Sequence, residues 1–232
     1  SIIDWHHKDW RSKIENKNDS IAFLRYVEFM NNQIEELMTR YPTVKGFWYD
    51  GTWDKSVVEH GKITWDLVQL MKLKNPGIIS GSRLRVDDRG ARHFDSNKHL
   101  MGDYEQGWER NLPDVMPVND WECVMTIPEN QWGYHSDWQG HIKNSFEIVD
   151  MLAACVAMNG NFVLNFGPKG DGSIRDEEKE IAEKIGEWMS VNGEAIYGGE
   201  NSVFKPQKWG YYTHNKKTGD VYMIVMNQPY SN

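Results

Sequence analysis

The sequence predicts an α/β protein built on parallel strands, the C-terminal part of a (β/α)8 TIM-like barrel. Three observations predict it. Short apolar strands alternate with amphipathic helices, polar residues collect at the C-terminal tips of those strands, and no Gly-rich phosphate loop follows any of them. About four strand–helix units can be counted before the pattern changes, roughly half of what a barrel needs. A whole barrel of this kind takes about 250 residues. The expectation is therefore a barrel whose first four strands come from a companion segment.

The chain opens in Ser1-Ile2-Ile3-Asp4-Trp5-His6-His7, which reads as the end of a strand entering a loop. From Ser20 to Arg40, apolar residues at 23, 24, 27, 30, 34, 37 and 38 give the spacing of an amphipathic helix, with Asp19 or Ser20 as its expected cap. Val44 to Tyr49 is an apolar and aromatic strand ending on Asp50-Gly51. A helix over Thr64–Lys74 stops at Pro76-Gly77, and Ile78-Ile79 lead a short strand towards Ser82-Arg83. A polar loop rich in Asp, Arg and Gly follows from Arg85 to Lys98. Met116–Met125 reads as a strand, Ser145–Met158 as a helix and Asn161–Phe166 as a buried strand closed by Gly167-Pro168. Asp176–Asn192 reads as a helix whose acidic start suits the macrodipole. Beyond Tyr197 the texture changes: Tyr211–Thr213 and Val221–Met226, joined by Lys-Lys-Thr-Gly-Asp, predict a β-hairpin.

Composition narrows the partners. A net charge of −8 argues against nucleic acid, because neutralising phosphates needs clustered Lys and Arg. The most basic stretch, Arg83 to Arg92, is interrupted by Asp87 and Asp88. No apolar run is long enough to span a membrane. The excess is aromatic, with 11 Trp, 10 Tyr and 8 Phe, and flat rings either fill a core or stack on sugars. Cys123 and Cys155 have no metal-ligand spacing; buried thiols are expected, one bridge the alternative.

Chemistry has three places to sit. In Gly46-Phe47-Trp48-Tyr49-Asp50-Gly51 a carboxylate ends an aromatic strand, where a retaining glycosidase would hold its nucleophile; Asp-Gly is also an ordinary turn. Gly102-Asp103-Tyr104-Glu105-Gln106-Gly107-Trp108-Glu109-Arg110 is read as an acidic loop with large aromatics. Such neighbours can raise a carboxyl pKa towards that of a general acid, or the acids can simply be solvated and paired with Arg110. Asp120-Trp121-Glu122 gives a third set. The adjacent His6 and His7 would point opposite ways on a strand, no His-Glu-x-x-His pattern occurs, and no metal or cofactor is expected.

Two stretches carry a specific resemblance. Asn159-Gly160-Asn161-Phe162-Val163-Leu164-Asn165-Phe166-Gly167-Pro168 with Asp171-Gly172, then Gly186-Glu187-Trp188 and Asn192-Gly193-Glu194-Ala195-Ile196-Tyr197-Gly198, closely resembles the barrel end of family 29 glycoside hydrolases, the α-L-fucosidases. Ile3-Asp4-Trp5-His6-His7, Trp48-Tyr49-Asp50-Gly51 and Trp121-Glu122 through Trp132-Gly133-Tyr134 look like its middle. The resemblance covers roughly residues 1 to 200. It implies a barrel segment over 1–200 and the beginning of a β-sandwich domain over 201–232.

The resemblance also implies roles. Asp50 stands at the nucleophile position, Trp48 walls the sugar pocket and Arg83 binds the sugar and the nucleophile region. Trp108, His6 and His7 are further substrate-binding candidates. The acid/base aligns best through Glu109, although one extra residue after Tyr104 keeps Glu105 and Glu122 open. The expected activity is exo-acting, retaining release of terminal α-L-fucose from an oligosaccharide or polysaccharide. Two alternatives stand beside it: release of α-L-galactose from algal galactans, and a non-catalytic carbohydrate-binding module. The resemblance implies a secreted, periplasmic or lysosomal location. Asn18-Asp19-Ser20 would be a glycosylation acceptor only in a eukaryotic secretory pathway.

Overall fold

The computed structural model describes residues 1–228. They form a mixed α/β fold that divides into two compact units, Ser1–Gly107 and Trp108 onwards.

In the first unit, helix α1 (Lys17–Arg40) buries Ala22, Phe23, Tyr26, Met30, Ile34 and Met38, the three-to-four spacing that puts one stripe against a core. Its cap is Asn16, whose side chain accepts from the Asn18 and Asp19 amides, not Asp19 or Ser20 as the sequence suggested. Asp19 instead sits in the first turn, where its carboxylate accepts from the Glu15 amide and the Asn16 side chain and pairs with Arg11. The helix thus starts three residues earlier than apolar spacing alone indicates, because the polar first turn is held by side-chain hydrogen bonds.

Strand β1 (Gly46–Phe47) is shorter than the apolar run from Val44 and pairs in parallel with β2 (Ile79–Ser80). Between them lie α2 (Lys55–Glu59), capped by Asp54, and α3 (Lys62–Lys74). Leu67, Val68 and Met71 of α3 join Phe23, Tyr26, Met30, Ile78 and Leu84 in one core. Gly46 is required by close approach: a Cβ there would lie 2.7 Å from Ile79 Cγ1.

Strand β3 (Glu105–Glu109) starts in the first unit and ends in the second. The sequence reading placed this segment in a loop. Glu-Gln-Gly-Trp-Glu has no strand-like apolar pattern, and sheet pairing rather than propensity makes it extended. The second unit continues the sheet in the order β3, β4 (Trp121–Thr126), β5 (Gly160–Asn165). β4 begins at Trp121, not Met116: Pro117 offers no amide to a ladder, and the backbone bends at Val118 and Asn119 before it becomes extended. Strands β4 and β5 are parallel, registered from Trp121↔Gly160 to Thr126↔Asn165. All six β4 residues are buried, as expected of a parallel strand covered on both faces.

Helix α4 (Ser145–Ala157) connects them, opened by a full capping box between Asn144 and Glu147. Cys123 and Cys155 are free and buried with Trp121 and Met125; burial pushes their thiols up to about 11 and about 12. Helix α5 (Asp176–Asn192) follows. Strands β6 (Gly199–Asn201), β7 (Gly210–Asn215) and β8 (Val221–Val225) form an antiparallel sheet. It shares a cluster of Ala153, Val156, Ala195, Ile196 and Ile224 with α4. The expected hairpin is β7–β8, and the end of the expected 201–232 segment, residues 229–232, lies outside the described residues.

Candidate active site

Two parallel strands ending side by side bring Asp50 and Arg83 together. Asp50 follows β1 by three residues, and Arg83 lies in the 3-10 turn Ser82–Leu84 just after β2. Arg83 Nη1 donates to Asp50 Oδ1 at 3.3 Å. The Arg83 side chain is 12% exposed and that of Asp50 34%, so the carboxylate is open to a ligand while its partner is held from behind. The Arg83 guanidinium also lies 5.4 Å from the Trp48 ring centre, a cation–π arrangement. The sequence-selected residues Trp48, Asp50 and Arg83 therefore form one cluster.

The backbone around them is fixed. The Ile2 amide donates to Asp50 O at 2.8 Å, and buried Thr52 donates its hydroxyl to Arg83 O at 2.6 Å. Gly51 has φ 107, and a Cβ there would lie 2.9 Å from Ile3 Cγ1, so the turn behind Asp50 needs glycine twice over.

The other candidates sit as follows. His6 is exposed, and its amide is tied to Asp4. The His7 ring stacks on Phe29 at 4.5 Å, stands edge-on to Tyr26, and its Nδ1 accepts from the Asp9 amide. His7 is thus engaged in packing against α1. Glu105 and Glu109 occupy the two ends of β3 and, four residues apart on a strand, face the same side. Trp108 faces the other side and meets Trp121 edge-on at 6.4 Å in the interior of the second unit. Glu109 Oε1 lies 3.8 Å from Arg110 Nη2, both about a third exposed. Arg110 holds φ 62 while its amide donates to Val124 O. Glu122, buried in β4, is on the face opposite Trp121 and Cys123.

Sequence reasoning missed the layer behind Arg83. Ser82 is fully buried; its hydroxyl oxygen accepts the Gln106 amide at 3.0 Å and lies 3.1 Å from His93 Nδ1. Burial, together with the nearby Arg92 and Arg83 charges, pulls the His93 imidazole down to about 4, so it is neutral near pH 7. Arg92 in turn feels both Arg83 and Asp50. The available signal was an Arg-His dipeptide in a loop otherwise read only as polar. Among the described residues, no group of three or more His, Cys, Asp or Glu is placed to hold a metal.

A model of the α-L-fucosidase family matches residues 1–194. Human tissue α-L-fucosidase is 28% identical over 239 residues, covering 99% of this chain and 47% of that protein. Rat plasma α-L-fucosidase is 29% identical over 239 residues, covering 100% and 49%. A solved structure of a family 29 α-L-fucosidase from Bacteroides thetaiotaomicron, a trapped covalent intermediate in complex with 2-fluoro-fucosyl fluoride, is similar at TM-score 0.94 and 52% identity. That match covers 99% of this chain and 54% of the other. An α-L-fucosidase from Paenibacillus thiaminolyticus is similar at TM-score 0.77 and 29% identity, covering 92% and 53%. The chain spans about half the length of the curated relatives it matches. With a family model covering most of its length, this chain belongs to the α-L-fucosidases, family 29 of the glycoside hydrolases.

Proposed function

We propose that the polypeptide containing this chain is an exo-acting retaining glycoside hydrolase that releases terminal α-L-fucose from glycans. The observation that carries the reading is the Asp50–Arg83 pair at adjacent strand tips beside the Trp48 ring. Its support is the 52%-identical α-L-fucosidase that forms a covalent intermediate with a fluorinated fucosyl donor.

In this reading Asp50 attacks the anomeric carbon and forms a glycosyl ester, while Glu109 gives its proton to the departing oxygen. Glu109 then takes a proton from water, which attacks the ester and restores Asp50. Configuration is retained because two inversions occur. Arg83 engages one carboxylate oxygen of Asp50 and so orients the other for attack, a charge-assisted contact. Trp48 gives the sugar a flat apolar wall. Glu105 and Glu122 are the alternatives for the acid/base, and His6, His7 and Trp108 are proposed as further sugar contacts.

Residues 1–200 are proposed as the C-terminal half of a (β/α)8 barrel and 201–232 as the start of a β-sandwich. The parallel pairs β1–β2 and β4–β5, followed by antiparallel β6–β8, support it. The barrel's N-terminal half is then the principal partner, and a secreted, periplasmic or lysosomal location fits relatives such as the plasma enzyme. No helix among the described residues is long and apolar enough to cross a membrane.

The test is hydrolysis of aryl α-L-fucoside and aryl α-L-galactoside by the complete polypeptide, beside Asp50→Ala. Fucoside turnover that vanishes in the variant is expected. Preference for the galactoside would move the substrate to α-L-galactose, which differs by one hydroxyl that a pocket rejects weakly. Cleavage of neither would favour a carbohydrate-binding module.

A further inference from the structure

His93 is held in an unusual way. Its φ is 64, a left-handed conformation uncommon for a residue with a side chain, though histidine adopts it more readily than most, and such positions gather at functional sites. Here the surroundings are visible. The Met101 amide donates to His93 O at 2.8 Å, and bridges Val86↔Arg92 and Phe94↔Leu100 clamp the loop on either side. The result aims the imidazole at Ser82, the residue immediately before Arg83.

The hydrogen bonds fix which nitrogen carries the proton. Ser82 Oγ already accepts from the Gln106 amide, and the hydroxyl has one proton of its own to place. Ser82 is fully buried, so leaving that proton unpaired would carry the full desolvation penalty of the hydroxyl. The only acceptor that engages it among the described residues is His93 Nδ1. The ring is therefore the Nε2–H tautomer and neutral. A protonated ring would present N–H to the hydroxyl and leave the serine proton without a partner. Lowering of the imidazole by burial and by the two arginines agrees with this geometry.

Ser82 is the hinge point of the turn carrying Arg83. Its amide donates to Tyr104 O and its hydroxyl ties it to Gln106, so two flanking backbone positions and one side chain hold it. The next residue is the arginine whose Nη1 meets Asp50. We propose that His93 is a positioning residue for the Asp50 centre: as a neutral imidazole it accepts the Ser82 proton and thereby fixes the turn that presents Arg83 to Asp50. The proposal deepens the hydrolase reading above and rests on it.

The test uses the complete polypeptide with Asp50→Ala, His93→Ala, His93→Asn and Ser82→Ala. Asparagine tolerates a left-handed backbone and can offer a carbonyl oxygen where Nδ1 stands. On aryl α-L-fucoside, His93→Ala and Ser82→Ala are expected to lower kcat by about 10- to 100-fold, the scale of small misplacements, with KM nearly unchanged. His93→Asn should recover most of kcat. Melting temperatures separate this from unfolding, and nitrogen-15 NMR at neutral pH should find His93 protonated on Nε2 alone. The proposal is overturned if His93→Ala keeps wild-type kcat while Asp50→Ala is inactive, if His93→Asn is as impaired as His93→Ala, or if Nδ1 carries the proton. Full activity in Asp50→Ala, or no turnover by the wild type, sinks the hydrolase reading instead, and the NMR result still decides the His93–Ser82 bond.

Discussion

Arg83 Nη1 donates to Asp50 Oδ1 at 3.3 Å, joining two residues that lie 33 positions apart in the chain. The pair exists because β1 and β2 run parallel and neighbouring, so that their C-terminal ends open at the same level. A contact of this kind orients a carboxylate without covering it. Arg83→Ala is expected to reduce kcat/KM on an aryl α-L-fucoside by about 100-fold or more, the usual cost of losing one fixed electrostatic contact at a reacting centre. Steady-state kinetics against a circular-dichroism control checks it, and a loss of less than tenfold would contradict the role.

The acid/base can be assigned by chemical rescue. Glu109→Gln should slow turnover of poor leaving groups by about 10²–10⁴-fold, the range of general acid catalysis. An activated aryl fucoside should still be attacked. Added azide should then restore turnover of that substrate and give a fucosyl azide of retained configuration, since no base is needed to activate the anion. Rescue in Glu105→Gln or Glu122→Gln instead would reassign the role.

Stability should depend on pH through His93. Its folded imidazole is pulled down to about 4 from an ordinary value near 6.5. Between those two values the unfolded chain binds a proton that the folded protein does not, so this group makes stability fall as pH drops from about 6.5 to about 4, and adds no further loss below. The contribution is about 1–3 kcal/mol. Denaturant titrations at several pH values check it, and His93→Asn should flatten that part of the profile.

Two substitutions probe the scaffold. Phe23, 2% exposed in α1, fills the core of the first unit, and Phe23→Ala should cost about 3–5 kcal/mol through lost burial and a cavity. Asn144→Ala removes the cap of α4 and should cost about 1 kcal/mol. Thermal melts of the complete polypeptide measure both; equal effects would mean the packing of α1 is not as drawn.

The same contrast shows in what could be read from the residues. Helix α5 is found where its sequence predicts, over Asp176–Asn192, and α4 and β5 differ by only a residue or so. These elements declare themselves because apolar spacing and caps act within one turn or one strand. Strand β3 was illegible, since Glu105–Glu109 is extended through its neighbours and not through its own preference. Asn16 was overlooked as a cap because Asp19 and Ser20 are equally good capping residues, and only backbone geometry chooses among them. Arg92 and His93 looked like part of a polar loop, and only the fold buries them in part, brings His93 to Ser82 and sets both near the Arg83 charge.

Taken by itself, the sequence determined the α/β alternation, the strand-tip position of Asp50, the aromatic Trp48 beside it and, through its motifs, the family. Periodicity, strand ends and turn residues are local properties that a chain carries wherever it goes. The tertiary structure decided the geometry with which Arg83 meets Asp50, that His7 and Trp108 are engaged in packing, and that His93 lies within hydrogen-bond distance of buried Ser82. Those are facts of distance, burial and competition for single protons between residues far apart in the chain, and no local pattern encodes them.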